Sequence, residues 1–169
     1  MPDQLGVDPF LGTLLSYWEK KRGSRAMPRR RDIDPLELPP ALWPHLELVE
    51  RDAGGRLRWR LIGTAVVDAM GLDATGRLLA DVLAGEYLRF AERCHETVRT
   101  SRRPAYCRCR LRHGASGDIA LHRLAVPLSE DDAVVSMILS ALRLGSGGLG
   151  RGLPPLAARD IADGIIDTL

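Results

Sequence analysis

Residues 104–112 read Pro-Ala-Tyr-Cys-Arg-Cys-Arg-Leu-Arg, with Ala105, Cys107, Cys109 and Leu111 alternating against Tyr106, Arg108, Arg110 and Arg112. Strict alternation puts one set on each side of an extended chain, so this is a strand with one apolar and one cationic face. Two further strands follow, over 118–128 and 133–144, joined by the acidic bend Ser129-Glu130-Asp131-Asp132. Both carry apolar residues on both faces, as central strands do. Residues 114–117 supply the turn between the first two. Upstream, 87–100 reads as a helix, because Tyr87, Phe90, Ala91, Cys94 and Val98 share a face while Arg89, Glu92, Arg93, Glu96 and Arg99 lie off it.

Toward the N-terminus, Leu46–Arg51 and Arg56–Gly63 flank Asp52-Ala53-Gly54-Gly55, a loop with hairpin chemistry. In the second of these strands Leu57, Trp59 and Leu61 alternate with Arg56, Arg58 and Arg60. Short helices and turns fill 66–85. The first element of the chain is a helix that Asp8 caps and Pro9 opens, with Phe10, Leu11, Leu14, Leu15 and Trp18 forming an apolar stripe. Gly23 ends it. Five prolines between 24 and 45 make the next stretch an irregular connection. At the other end, 145–155 has linker composition, and 156–169 has weak helical character through Leu156, Ile161 and Ile165. Three parts result: 1–45, the helix and its connection; 46–144, the domain proper; 145–169, linker and tail.

The chain has 169 residues, 45% hydrophobic and 27% charged, which fits one globular domain with extensions and excludes a large multidomain enzyme. Its net charge of +2 argues against a dedicated nucleic-acid binder. Lysine occurs only at 20 and 21, so arginine supplies nearly all the positive charge. Arginine is the side chain suited to bidentate carboxylate or phosphate contacts. No apolar run approaches the roughly 18–20 residues of a membrane span. The first residues lack a basic then apolar leader pattern, so three reduced cysteines in a cytoplasm are expected.

The order helix, two strands, short helices, longer helix, three strands resembles the PAS sensor fold. Met27-Pro28-Arg29-Arg30, Asp32-Ile33-Asp34-Pro35, Leu42-Trp43-Pro44-His45-Leu46 and Trp59-Arg60-Leu61-Ile62-Gly63-Thr64 are similar to a bacterial family of small PAS-like proteins, common in alphaproteobacteria and once a domain of unknown function. Thr75-Gly76-Arg77, Arg103-Pro104 and Pro127-Leu128-Ser129 extend the resemblance over roughly 10–142. It implies an α+β domain with a five-stranded antiparallel sheet, order 2-1-5-4-3, helices on one face and an N-terminal helix. Asp132 departs from it, standing where the bend often carries Gly.

Several constellations invite chemistry. Cys107 and Cys109 point the same way, and the resemblance brings Cys94 and His122 toward them; a metal site needs three or four such ligands to converge. The same thiols also continue the inward apolar series of Ala105 and Leu111. Some haem-binding PAS domains take an axial ligand from the helix that carries His95, although a lone histidine at a helix boundary is weak evidence. Gly145-Ser146-Gly147-Gly148-Leu149-Gly150 has the letters of a dinucleotide fingerprint, but prolines and not a helix follow. No nucleophile elbow, Walker lysine or zinc-protease motif occurs. Arg29, Arg30, Arg31, Arg108 and Arg110 are candidates for an anion, a cyclic dinucleotide or an acidic partner. Arg56–Arg60 and Arg108–Arg112 would lie on the two edge strands, where charge also discourages sheet-to-sheet pairing.

The expectation is a non-enzymatic sensory or interaction module without a metal or cofactor, passing its signal to a regulatory protein partner or a second copy. A small ligand would sit among Trp59, Leu61, Met70, Tyr87, Phe90, Cys94, Cys109 and Leu124. Phe10, Leu11, Leu14, Leu15 and Trp18 would be covered by the sheet or by a second subunit.

Overall fold

The computed structural model describes residues 6–112, 117–145 and 160–169. Helix α1 (Pro9–Arg22) starts where the Asp8 carboxylate accepts hydrogen bonds from the amides of Phe10 (2.9 Å) and Leu11 (3.4 Å). That satisfies donors with no partner inside the helix. Lys20, Lys21 and Arg22 occupy the last turn, where the helix dipole favours positive charge. The strands are β1 (Leu46–Arg51), β2 (Leu57–Ile62), β3 (Ala105–Leu111), β4 (Ile119–Leu128), β5 (Met137–Leu144) and β6 (Ile161–Thr168), with α2 (Thr64–Met70) and α3 (Gly85–Ser101) after β2. Every strand pair is antiparallel, and the order is β2-β1-β5-β4-β3-β6.

The first five strands have the expected order, and β6 is an addition to it. The expected helical character of 156–169 is corrected over its described part, where Ile161–Thr168 is a strand on the edge of β3; 156–159 lie outside the described residues. Asp163 has φ of 55° and Gly164 follows, two poor helix positions, while β3 offers a row of backbone groups to pair with. Arg108 and Arg110 therefore do not lie on an edge; among the described residues the edges are β2 and β6. Residues 114–116 of the expected turn, and all but Gly145 of the expected linker, lie outside the described residues.

β5 begins at Met137 and not near 133 because Asp131 folds the chain back first. Its carboxylate accepts from the amides of Ala133 and Val134 at 2.9 and 2.8 Å. Asp132 stands at φ 66°, a left-handed conformation that Asp tolerates. Its carboxylate receives the amides of Ala26 (3.1 Å) and Met27 (2.9 Å), so an aspartate here fastens the proline-rich connection as a glycine could not.

Residues opposite one another in register share a face, which sorts the sheet into two sides. One side carries Leu48, Leu61, Tyr106, Leu124, Val126 and Leu139 and faces α1. Trp18 Nε1 donates to the Pro127 carbonyl (2.7 Å) and the Asp8 amide to Tyr106 Oη (3.2 Å), pinning that helix. The other side carries Glu47, Val49, Trp59, Cys107, Cys109, Arg123 and Ser140 and faces α3. No helix among the described residues is long and apolar enough to cross a membrane.

Candidate functional site

The α3 side of the sheet holds a charged pair in the interior. Arg123 sits mid-strand in β4, between Cys107 of β3 and Leu142 of β5, and is 4% exposed; Glu47 of β1 is 2% exposed. Arg123 Nη2 lies 3.2 Å from Glu47 Oε2 and donates to Tyr87 Oη at 3.4 Å. Trp59 Nε1 donates to Glu47 Oε1 at 3.3 Å. Arg123 Nη1 and Ser140 Oγ have no hydrogen-bond partner among the described residues. Burial is the largest single influence on Arg123 and opposes its charge, but Glu47, Tyr87, Cys94 and Cys107 together hold the guanidinium pKa above its ordinary value. Burial likewise raises the Tyr87 hydroxyl and pushes Cys109 up to about 12. Cys107, hydrogen-bonded with Cys94 and buried, is also raised. Cys107 and Cys109 are thereby held as protonated thiols, which makes them poor nucleophiles.

His95 lies on the same side, 2% exposed. Its Nδ1 is 2.7 Å from the Ala91 carbonyl. A carbonyl only accepts, so Nδ1 carries the proton and Nε2 is left as an acceptor. Nε2 is buried and has no hydrogen-bond partner among the described residues. Burial, reinforced by Arg123, pushes the pKa down to about 3, so the ring is neutral.

His95 belongs to the wall of a groove of about 620 Å³ between α3 and the β1–β2 hairpin. Val49, Leu57, Leu79, Met137 and Ile138 give it apolar surface, and Arg51, Arg56, Arg89, Arg93 and Arg99 outnumber Glu50, Glu92 and Glu96 around it. Arg51 and Arg99 both pair with Glu96, at 3.6 and 2.5 Å. The volume suits a small molecule.

The expected ligand residues are divided between the two faces of the sheet. Trp59, Tyr87, Phe90, Cys94 and Cys109 are buried on the α3 side, and Met70 is buried in α2. Leu61 and Leu124 belong to the α1 side: the register shift between Leu48 and Val49 turns Leu61 to the face opposite Trp59, and Leu124 lies one position from Arg123, which shares its face with Cys107 and Cys109. None of the eight lines the groove. Leu11, Leu14, Leu15 and Trp18 are buried within the chain, covered by its own sheet, with Phe10 half-buried beside them.

Arg108 is paired with Asp167 (2.6 Å) and Arg110 with Asp163. Arg29, Arg30 and Arg31 lie at a short turn where the Arg29 amide donates to Asp32 and the Arg30 amide to Glu130. His122 faces α1, 2.5 Å from Tyr106 Oη, away from the cysteines. No three metal-ligating side chains gather among the described residues.

Glu47 and Arg123 were not singled out by sequence reasoning as a pair. Glu50, three residues on in the same strand, is the acid that meets an arginine of β2, Arg60, at 3.5 Å. The signal for Arg123 was a lone charge in the apolar run Leu121–Leu128. Its partner appears only once β5 is placed between β4 and β1.

Compared with known proteins, residues 9–143 match the family described as "PAS domain". No curated protein matches the chain.

Proposed function

The chain belongs to the PAS domain family, whose members are generally sensory or interaction modules, and from that premise we propose that it senses a small ligand in the groove between α3 and the β1–β2 hairpin. The observation that carries this reading is His95, a residue of the groove wall whose buried Nε2 acceptor has no partner among the described residues. Buried polar groups are nearly always hydrogen-bonded, so a ligand that brings an O–H or N–H to this nitrogen completes an unfinished contact. The surrounding arginines favour a ligand that also carries a negative charge, and the aliphatic surface favours a flat or acyl body. The signal passes to another chain by a change in contacts. Dimerisation through α1 is not part of the proposal, since its own sheet already covers the stripe.

The test is a titration of isotopically labelled protein, followed by amide shifts, with three probes of similar size. 4-Hydroxyphenylacetate offers donor and charge, phenylacetate only charge, and tyramine a donor with the opposite charge. The first should shift amides of His95, Arg99 and Ile138 and bind about tenfold more tightly than phenylacetate, one hydrogen bond being worth about 1.4 kcal/mol. Tyramine should not bind. If phenylacetate binds equally well, the donor requirement is wrong; if no probe reaches the groove, the ligand reading falls.

A further inference from the structure

We infer that the outer edge of β3 is a docking site for an extended acidic segment of a partner protein, and that β6 is the chain's own displaceable occupant of that site. The five-stranded sheet is complete without β6, which lies beyond the matched span of 9–143. Removing it would leave β3 with a row of unpaired backbone groups, the surface to which extended peptides add as a strand. What would read the incoming strand is already visible. Arg108 meets Asp167, and Arg110 meets Asp163, so two arginines on one face recognise two carboxylates four residues apart. Between them, the register shifts at Arg108/Arg110, and Gly164 lies against the Phe90 ring, where a Cβ would come within 2.9 Å of Cδ2.

The occupant is lightly held. No residue of Ile161–Thr168 is fully buried, in contrast to β4, where Leu124–Leu128 are all buried. The Arg110–Asp163 pair is solvent-exposed and the Arg108–Asp167 pair only part-buried, where such pairs contribute little, and among the described residues one edge of β6 is unpaired. A strand with few buried side chains and exposed backbone bonds is among the first to open. The partner it would yield to is an extended segment with two acidic side chains spaced as Asp163 and Asp167 are, a small residue facing Phe90, and an aliphatic residue in the position of Ile166.

The experiment uses the full chain and, as probe, a fluorescein-labelled peptide of residues 160–169. Asp163→Asn with Asp167→Asn removes both ion pairs; Gly164→Val, made separately, pushes β6 from Phe90. Hydrogen exchange should show β6 released in each, and the probe should bind each at least tenfold more tightly than the unaltered chain. Adding Arg108→Glu and Arg110→Glu should abolish binding, as should replacing both acids of the probe by Asn. Three results overturn the inference: β6 staying as protected as β3 in both variants; release of β6 without binding of the probe; or a doubled mass by light scattering that the probe dissolves, which makes the occupant a second copy of this chain.

Discussion

Glu47→Gln changes no volume and keeps an oxygen for Trp59 Nε1, so its effect isolates the charge opposite Arg123. At the observed 3.2 Å and an effective dielectric constant of about 20, the lost attraction is about 5 kcal/mol. Removing one partner of a buried pair typically destabilises by about 3–5 kcal/mol, because the remaining charge stays desolvated. Arg123→Met should fall in the same range. In urea, with a slope of about 2 kcal/mol per molar, either change lowers the unfolding midpoint by about 2 M. The double variant Glu47→Leu with Arg123→Met is the decisive comparison. With both charges gone and volume roughly kept, its stability should return to within about 1 kcal/mol of the original or exceed it. A midpoint shift under about 0.5 M for Glu47→Gln, or a double variant as unstable as the two single losses summed, refutes the reasoning.

His95 has a folded pKa of about 3 against about 6.5 unfolded, so as pH falls the unfolded chain takes up the proton first. Its contribution is whole above about pH 6.5 and is lost toward pH 3 at about 1.4 kcal/mol per pH unit. Stability measured at pH 6 and pH 4 should therefore fall less in His95→Gln than in the unaltered chain, and an equal fall counts against a buried neutral ring. Gly63 has an ordinary φ of −70°, yet a Cβ there would lie 2.3 Å from the Pro44 carbonyl oxygen. Gly63→Ala should destabilise by about 1–3 kcal/mol through this overlap alone, and an unchanged melting temperature would show that the two turns can part freely.

What could be read from the chain was whatever repeats locally. The capping at Asp8, the alternation over 104–112 and the helical face from Tyr87 to Val98 each depend on neighbours within a few residues, and each element stands where expected. What escaped was set by parity and by distant pairing. Leu61 is two residues from Trp59, yet the register shift in β1–β2 pairing between Leu48 and Val49 puts the two on opposite faces. Leu124 follows Arg123 by one position and so faces the other way. Ile161 and Ile165 are four apart, a helical spacing, and only the open edge of β3 makes that segment a strand. The groove is lined by parts of β1, β2, α3 and β5, and no stretch of sequence carries enough of it to announce a site.

The buried pair and the groove are joined through one cation. Arg123 is held charged by Glu47, and its field is the second cause that keeps His95 unprotonated; burial is the larger. The order of the two matters. If the field dominated, losing Arg123 would let the ring gain a proton near neutral pH, turning the buried Nε2 acceptor into a donor and reversing the ligand chemistry it selects. Because burial dominates, and the Ala91 carbonyl fixes the proton on Nδ1, the acceptor survives that loss. Arg123 thus governs the stability of the sheet far more than the selectivity of the groove. The recognition chemistry of His95 rests on α3 itself, on a carbonyl four residues back and on the side chains that shut out water.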